Sequence, residues 1–135
     1  MLRVTSPLSQ EQERTVASAI DAGLSVHRAL GPGFREVIYK RAYLLELDSR
    51  GLKFECEKKI LVHYKEWEIP GQTVDLIVES IVLVELKALP RLRPIQRRQV
   101  LSYLKTTGLH VGLLINFNVL LLKHGLQRVV NWPPI

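Results

Sequence analysis

Apolar and charged segments alternate along the chain, and one apolar segment carries charges within it. Residues 74–87, VDLIVESIVLVELK, predict two short strands joined by a tight turn. Successive side chains of a strand alternate between its two faces, so Leu83, Glu85 and Lys87 share one face, whereas the residues between them form an apolar face. Asp75 belongs to the preceding strand. The hairpin therefore brings two carboxylates and a lysine together in apolar surroundings.

The rest of the chain predicts helices and strands on both sides of this hairpin. Residues 6–30 form an amphipathic pattern with two alternative N-caps: Ser6 followed by Pro7, or Ser9 with Gln12 three residues later. The other predicted elements are a helix over residues 34–50, strands over residues 53–64 and on to residue 78, a helix over residues 94–106, a buried strand over residues 110–117, and one or two strands within residues 119–131. On the helix over residues 34–50, the i, i+3, i+4 spacing places Glu36, Tyr39 and Lys40 on one face. We expect an α/β fold with a central mixed β-sheet flanked by helices.

The composition is that of one ordinary globular domain spanning residues 1–135. The chain is 47% apolar and 24% charged, which excludes wholesale disorder. Its single cysteine, Cys56, has no internal partner for a disulfide, and we expect it to be half-buried in a strand. No segment approaches the roughly 20 apolar residues of a membrane helix, and no signal peptide is evident. We therefore expect a cytoplasmic protein that does not bind a membrane.

Carboxylates in an apolar setting need a partner, because a desolvated charge costs several kcal/mol unless it is paired or metal-bound. Asp and Glu oxygens are hard ligands suited to Mg²⁺, which uses one or two protein carboxylates together with water and substrate phosphate. Asp75 and Glu85 are therefore candidate ligands for Mg²⁺ or Mn²⁺, with Lys87 placed to orient a water molecule. The alternative from the residues alone is an exposed ion network at the edge of a sheet.

A shared site for Asp75 and Glu85 requires a particular hairpin register. A two-residue loop would pair Asp75 with Val84 and would place the two carboxylates on opposite faces. We therefore predict an odd loop at residues 79–81, or an equivalent bulge, that pairs Asp75 with Glu85.

These residues carry a resemblance to a known group of enzymes. The D-x9-E-x-K pattern of Asp75, Glu85 and Lys87 resembles the PD-(D/E)XK nuclease superfamily, although the proline in that name is absent before Asp75. The upstream LGPGFREVIY resembles the GxxExxY protein family at Gly33, Glu36 and Tyr39. The resemblance covers residues 27–130 and includes the segments RGLKFE, VELKAL and TGLHVGLLINFN.

The resemblance implies a restriction-endonuclease-like domain and a metal-dependent nuclease that hydrolyses phosphodiester bonds, with DNA as the expected substrate. It makes Glu36 a direct or outer metal ligand and adds the carbonyl of Leu86 to the ligands. Gln99 and Tyr103, four residues apart on the predicted third helix, resemble a Q-x3-Y motif found near the metal in some exonuclease branches. Glu36, Gln99 and Tyr103 would complete the wall of the catalytic site.

The net charge of +6 is concentrated in one segment. Residues 87–105 contain six basic residues and no acidic one, so the rest of the chain sums to zero. Arginine presents a planar donor fork to phosphate, and these side chains are candidates for binding nucleic acid. Those outside the motif are Arg91, Arg93, Arg97, Arg98 and Lys105. The alternatives are a solvated helix face or a surface that binds a protein partner.

Three functions remain open from the sequence. Beside the nuclease, the same fold could serve as a catalytically inactive module that binds nucleic acid or assembles into oligomers. The third function is a metal-dependent enzyme for a small phosphorylated molecule, since a domain of 135 residues offers little surface for a long duplex. A homodimer would extend that surface.

Overall fold

The computed structural model describes residues 6–132. Its elements are α1 (Gln10–Leu30), α2 (Glu36–Ser49), β1 (Phe54–Tyr64), β2 (Trp67–Val78), β3 (Val82–Lys87), α3 (Pro94–Thr107), β4 (Val111–Asn116), a 3₁₀ turn (Leu122–His124) and β5 (Leu126–Val130). Within this part of the chain, no helix combines the length and the apolar character that a membrane crossing requires.

The five strands form one mixed sheet in the order β1-β2-β3-β4-β5. The first three strands are an antiparallel meander, β4 is parallel to β3, and β5 is antiparallel to β4. The parallel pair needs a crossover connection, which α3 supplies. The predicted α/β fold with a central mixed sheet and flanking helices is confirmed.

Helices cover the sheet on both faces, which explains why β3 and β4 are almost uninterrupted apolar runs. One layer joins α1 and α2 to the sheet through residues such as Val84, Leu86 and Leu113. The other layer joins α3 to the opposite face through residues such as Leu83 and Val100. The hairpin of β2 and β3 therefore lies at the centre of the domain, with a helical layer on each side.

The first helix begins at the second of the two predicted caps. The Ser9 hydroxyl accepts a hydrogen bond from the Gln12 amide, and the Gln12 side chain accepts one from the Ser9 amide. This reciprocal pair satisfies two amides that the helix itself leaves unbonded. At the other end of α1, His27 is buried, and its Nε2 lies 2.7 Å from the Val119 carbonyl oxygen.

Of the one or two strands predicted within residues 119–131, one forms, β5, whereas residues 119–124 do not form a strand. Because Ile115 pairs with Leu126, these residues lie in the connection that reverses the chain between β4 and β5. It forms bends and a 3₁₀ turn, closed by a bond from the Gly125 amide to the Leu122 carbonyl. A Cβ at Gly125 would lie 2.1 Å from the Asn116 carbonyl oxygen, so this close turn requires glycine.

The outer part of the first hairpin extends beyond the helical layers. We call residues 61–71 the β1–β2 arm, and every residue in it is exposed. The cross-strand pairs Tyr64 with Trp67 and Val62 with Ile69 place four apolar side chains on one face of the arm.

Cys56 lies in β1 as expected, but it is exposed rather than half-buried because β1 is an edge strand of the sheet.

Candidate active site

The hairpin between β2 and β3 has the register that a shared site requires. Val78 pairs with Val82 and Leu76 with Val84, so Asp75 stands opposite Glu85. The turn places Glu79 and Ser80 in the left-handed region, with φ of 54° and 57°, and adds Ile81 as an extra residue. The predicted odd loop at residues 79–81 is confirmed.

Beyond the last of these pairs, the two carboxylates bind backbone amides across the gap between β2 and β3. Glu85 Oε1 accepts a hydrogen bond of 3.1 Å from the Asp75 amide, and Asp75 Oδ2 accepts one of 2.9 Å from the Leu86 amide. The amide and carbonyl of one strand residue point to the same neighbouring strand, so the Leu86 carbonyl faces this gap as well. Three oxygen donors therefore converge between the two strands.

Glu85 is held where its negative charge is costly. Only 6% of the residue is exposed. Burial raises the pKa of Glu85 to about 8, and the negative charge of Asp75 adds to that effect, whereas Lys87 opposes it. A divalent cation would offset both the burial and the repulsion between the carboxylates.

The donor set fits a magnesium-type ion better than zinc. Within residues 6–132, no cluster of three or more His, Cys, Asp or Glu side chains could hold a metal. Mg²⁺ needs no such protein cage, because it uses one or two carboxylates and keeps several water molecules. Asp75, Glu85 and the Leu86 carbonyl meet that requirement.

Helix α2 contributes a lysine on one side of the gap. Lys40 Nζ lies 3.1 Å from Asp75 Oδ1 and also forms an ion pair with Glu57 on β1. Burial alone would lower the pKa of Lys40, but the two carboxylates outweigh it and the pKa is raised. Glu36 lies four residues before Lys40, on the same side of the helix, and is exposed.

The expectation that Tyr39 shares this helix face with Glu36 and Lys40 is wrong. Its ring is fully buried and stacks on Phe117 at a centroid distance of 4.7 Å. The hydroxyl donates to the Gly31 carbonyl at 2.6 Å and accepts from the Phe34 amide at 3.1 Å. Tyr39 therefore fixes the connection between α1 and α2 and has no contact with the carboxylates.

Helix α3 contributes a tyrosine on the other side of the gap. The Gln72 side chain donates a hydrogen bond of 3.1 Å to the Tyr103 hydroxyl oxygen. Burial raises the pKa of Tyr103, and the charges of Glu85 and Asp75 raise it further. Gln99 is half-buried one helical turn before Tyr103.

A family model described as the PD-(D/E)XK nuclease superfamily matches residues 13–129, which is most of the chain. The chain belongs to the PD-(D/E)XK nuclease superfamily. This membership indicates a nuclease-type function and an interaction with nucleic acid, and nucleases of this superfamily are generally dependent on a divalent metal. Neither the curated proteins nor the solved structures gave a match.

The five basic residues predicted to bind nucleic acid are all exposed: Arg91, Arg93, Arg97, Arg98 and Lys105. They do not form one uniform patch, because consecutive residues of a helix point about 100° apart. Arg97 turns towards β5 and donates a hydrogen bond of 3.2 Å to the Arg128 carbonyl. Arg98 and Lys105, seven residues apart, occupy a different side of α3 from Arg97.

Sequence reasoning missed the two residues Lys40 and Glu57, which form ion pairs beside Asp75. Lys40 was assigned only to a helix face, and its partner Asp75 is 35 residues away, so no local spacing signals the contact. Glu57 had no assigned role. A signal that could have drawn attention to Glu57 is that apolar and polar residues alternate poorly over residues 55–59, ECEKK, in a segment otherwise typical of a strand.

Proposed function

We propose that the protein is a metal-dependent nuclease that hydrolyses phosphodiester bonds of nucleic acid, with DNA as the substrate. The observation that supports it most is the pairing of Asp75 and Glu85 in the gap between β2 and β3. Each carboxylate accepts a hydrogen bond from a backbone amide of the neighbouring strand, and Glu85 is buried. A structural ion pair joins opposite charges, whereas here two carboxyl groups lie opposite each other on neighbouring strands.

In this proposal, Asp75, Glu85 and the Leu86 carbonyl hold the cation, with Glu36 as an outer ligand. A bound Mg²⁺ or Mn²⁺ would supply Lewis-acid stabilisation of the phosphate charge and a water of lowered pKa. Lys87 lies on the same face of β3 as Glu85, two residues further along, and orients the attacking water.

The α3 side of the site serves the substrate. The Tyr103 hydroxyl, held by Gln72, and the Gln99 amide form the wall against which the scissile phosphate is positioned. The exposed arginines at the start of α3 bind neighbouring phosphates of the backbone. The segment LGPGFREVIY, which leads into α2, and the position of Glu36 at the first residue of that helix support assignment to the GxxExxY family within the superfamily.

The decisive experiment is cleavage of a mixed set of labelled single-stranded and double-stranded DNA and RNA. Cleavage is expected in Mg²⁺ or Mn²⁺ and absent in chelator. Asp75→Asn and Glu85→Gln remove ligand charge while nearly preserving shape, so each should abolish cleavage and leave metal-free binding of nucleic acid intact. Glu66→Gln in the exposed turn of the β1–β2 arm is the matched control and should cleave normally.

A second candidate is a catalytically inactive module that binds nucleic acid or forms oligomers. The observation in its favour is the apolar face of the β1–β2 arm, where Tyr64 and Trp67 are each 56% exposed. A protein that cleaves nothing, gains no stability from magnesium and melts several degrees lower when Asp75 or Glu85 is substituted would support this function. Sedimentation would then test for a homodimer.

A further inference from the structure

An ammonium group occupies the approach to the candidate metal site from the α2 side. Lys40 Nζ lies 3.1 Å from Asp75 Oδ1, while Asp75 Oδ2 is bonded to the Leu86 amide. The side chains of Lys40 and Asp75 are only 20% and 18% exposed. Lys40 therefore neutralises the one Asp75 oxygen that the backbone leaves available.

The second partner of Lys40 is held in an unusual backbone conformation. Glu57 has a φ of 51° within β1, directly opposite Asp75, because the neighbouring pairs are Cys56 with Leu76 and Lys58 with Val74. A left-handed residue that is not glycine costs about 1 kcal/mol or more, and such strain concentrates at functional sites. The Glu57 carboxylate contacts Lys40 but remains 58% exposed.

Lys40 thus has one buried and one exposed carboxylate as partners. A divalent cation on Asp75 would repel the ammonium group at about 3 Å, so the two positive charges cannot share the Asp75 oxygen. The exposed Glu57 is close enough to keep the ammonium group paired once it leaves Asp75.

We propose that Lys40 is an internal counter-ion of the Asp75 and Glu85 pair that is exchanged for a divalent cation, with Glu57 holding the displaced ammonium group. This inference rests on the proposed metal-dependent function. Lys40 and Glu57 are then positioning residues that set the affinity of the site, and neither is a ligand. In the absence of metal, Lys40 balances the charge of Asp75.

The test measures Mn²⁺ binding calorimetrically at constant pH, without nucleic acid. Lys40→Met removes the competing charge and should tighten Mn²⁺ binding by about tenfold, a typical coupling between two sites. Glu57→Gln, at an exposed side chain that the fold tolerates, should weaken binding because Lys40 then remains on Asp75. Lys59→Met, at an exposed lysine of the same strand, controls for net charge and should change affinity by less than about twofold.

A double variant separates exchange from simple attraction. If Glu57 acts only by holding Lys40, then Glu57→Gln should have little effect on Mn²⁺ affinity once Lys40→Met is present. A persistent loss in that background would make Glu57 a ligand or a long-range charge and would overturn the proposal. Unchanged or weaker binding by Lys40→Met alone would overturn it as well.

Thermal unfolding gives a readout that does not depend on binding heats. In chelator, Lys40→Met should unfold at a lower temperature than the wild type, and Mn²⁺ should raise its unfolding temperature by more than it raises that of the wild type. If neither protein binds Mn²⁺, the proposed metal-dependent function itself fails. If the wild type binds Mn²⁺ through Glu85 but Lys40→Met binds no more tightly, only the exchange is refuted.

Discussion

Substitution of Glu85 by glutamine should change how the stability of the metal-free protein depends on pH. The folded protein holds the Glu85 proton more tightly than the unfolded chain, because burial and then Asp75 raise the pKa of Glu85 from 4.5 to about 8. The stability contributed by the protonated group is therefore complete below about pH 4.5 and is lost as the pH rises to about 8. Glutamine does not titrate, so the variant lacks this loss.

The size of the effect follows from the same pKa values. At about 1.4 kcal/mol for each pKa unit, the difference between 4.5 and about 8 corresponds to about 5 kcal/mol of unfolding free energy. Water entering the gap when the charge forms lowers this cost, so we expect a loss of about 2 to 5 kcal/mol between pH 5 and pH 8.5. The glutamine oxygen can still accept from the Asp75 amide, so no hydrogen bond is lost at this position.

The measurement is chemical unfolding in urea at several pH values, with chelator present and the denaturant slope compared between proteins. Glu85→Gln should equal the wild type near pH 5 and exceed it by about 2 kcal/mol or more at pH 8.5. Glu66→Gln in the exposed arm should follow the wild type throughout. Parallel pH profiles for the wild type and Glu85→Gln would refute the reasoning, because Glu85 would then titrate as an ordinary carboxyl.

Three further outcomes follow from the site and its supports. Lys87→Ala should abolish cleavage but leave Mn²⁺ binding measurable by calorimetry, because the role of Lys87 is to orient water. Loss of both cleavage and Mn²⁺ binding would make Lys87 part of the metal-binding structure. Arg98→Glu should weaken binding to labelled DNA and reduce the salt dependence by about one unit of slope per lost phosphate contact. Arg97→Glu should weaken DNA binding less than Arg98→Glu does, because the Arg97 guanidinium binds the Arg128 carbonyl. Equal losses of DNA affinity in the two variants would contradict the orientation of α3. Tyr39→Phe removes the part-buried hydrogen bonds to the Phe34 amide and the Gly31 carbonyl and should cost about 1 to 3 kcal/mol in urea unfolding. Tyr64→Phe, at an exposed position, should cost almost nothing.

The sequence predicted those parts of the fold that depend on local pattern. Gly51 and Gly108 follow α2 and α3 in the left-handed conformation, and Pro94 is the first residue of α3. These helix ends could therefore be predicted from the sequence. The hairpin register was predictable because only an odd loop places Asp75 and Glu85 on one face. Residues 119–124 were misread because their apolar run, VLLLKH, has the composition of a strand but lies in the connection that reverses the chain between β4 and β5.

The candidate site was only partly predictable, because much of it consists of long-range contacts. Asp75, Glu85 and Lys87 lie on one hairpin, so their proximity follows from strand geometry. The contact of Lys40 with Glu57 and Asp75 joins α2 to two strands and has no signature in spacing. Tyr39 was misassigned because helical spacing alone does not show which face of α2 packs against the sheet.

The β1–β2 arm should set the order in which the sheet opens. Its strands are bonded only to each other, whereas the inner half of β2 is flanked by β1 and β3 and covered by helices. Backbone amides near Lys65 and Glu66 should therefore exchange with deuterium by local fraying, and protection should rise along β2 until it reaches the global value near Leu76. Asp75 lies one residue before Leu76, where protection reaches the global value. Thus the carboxylate pair stands at the boundary between the part of the sheet that opens locally and the part that opens only when the whole domain unfolds.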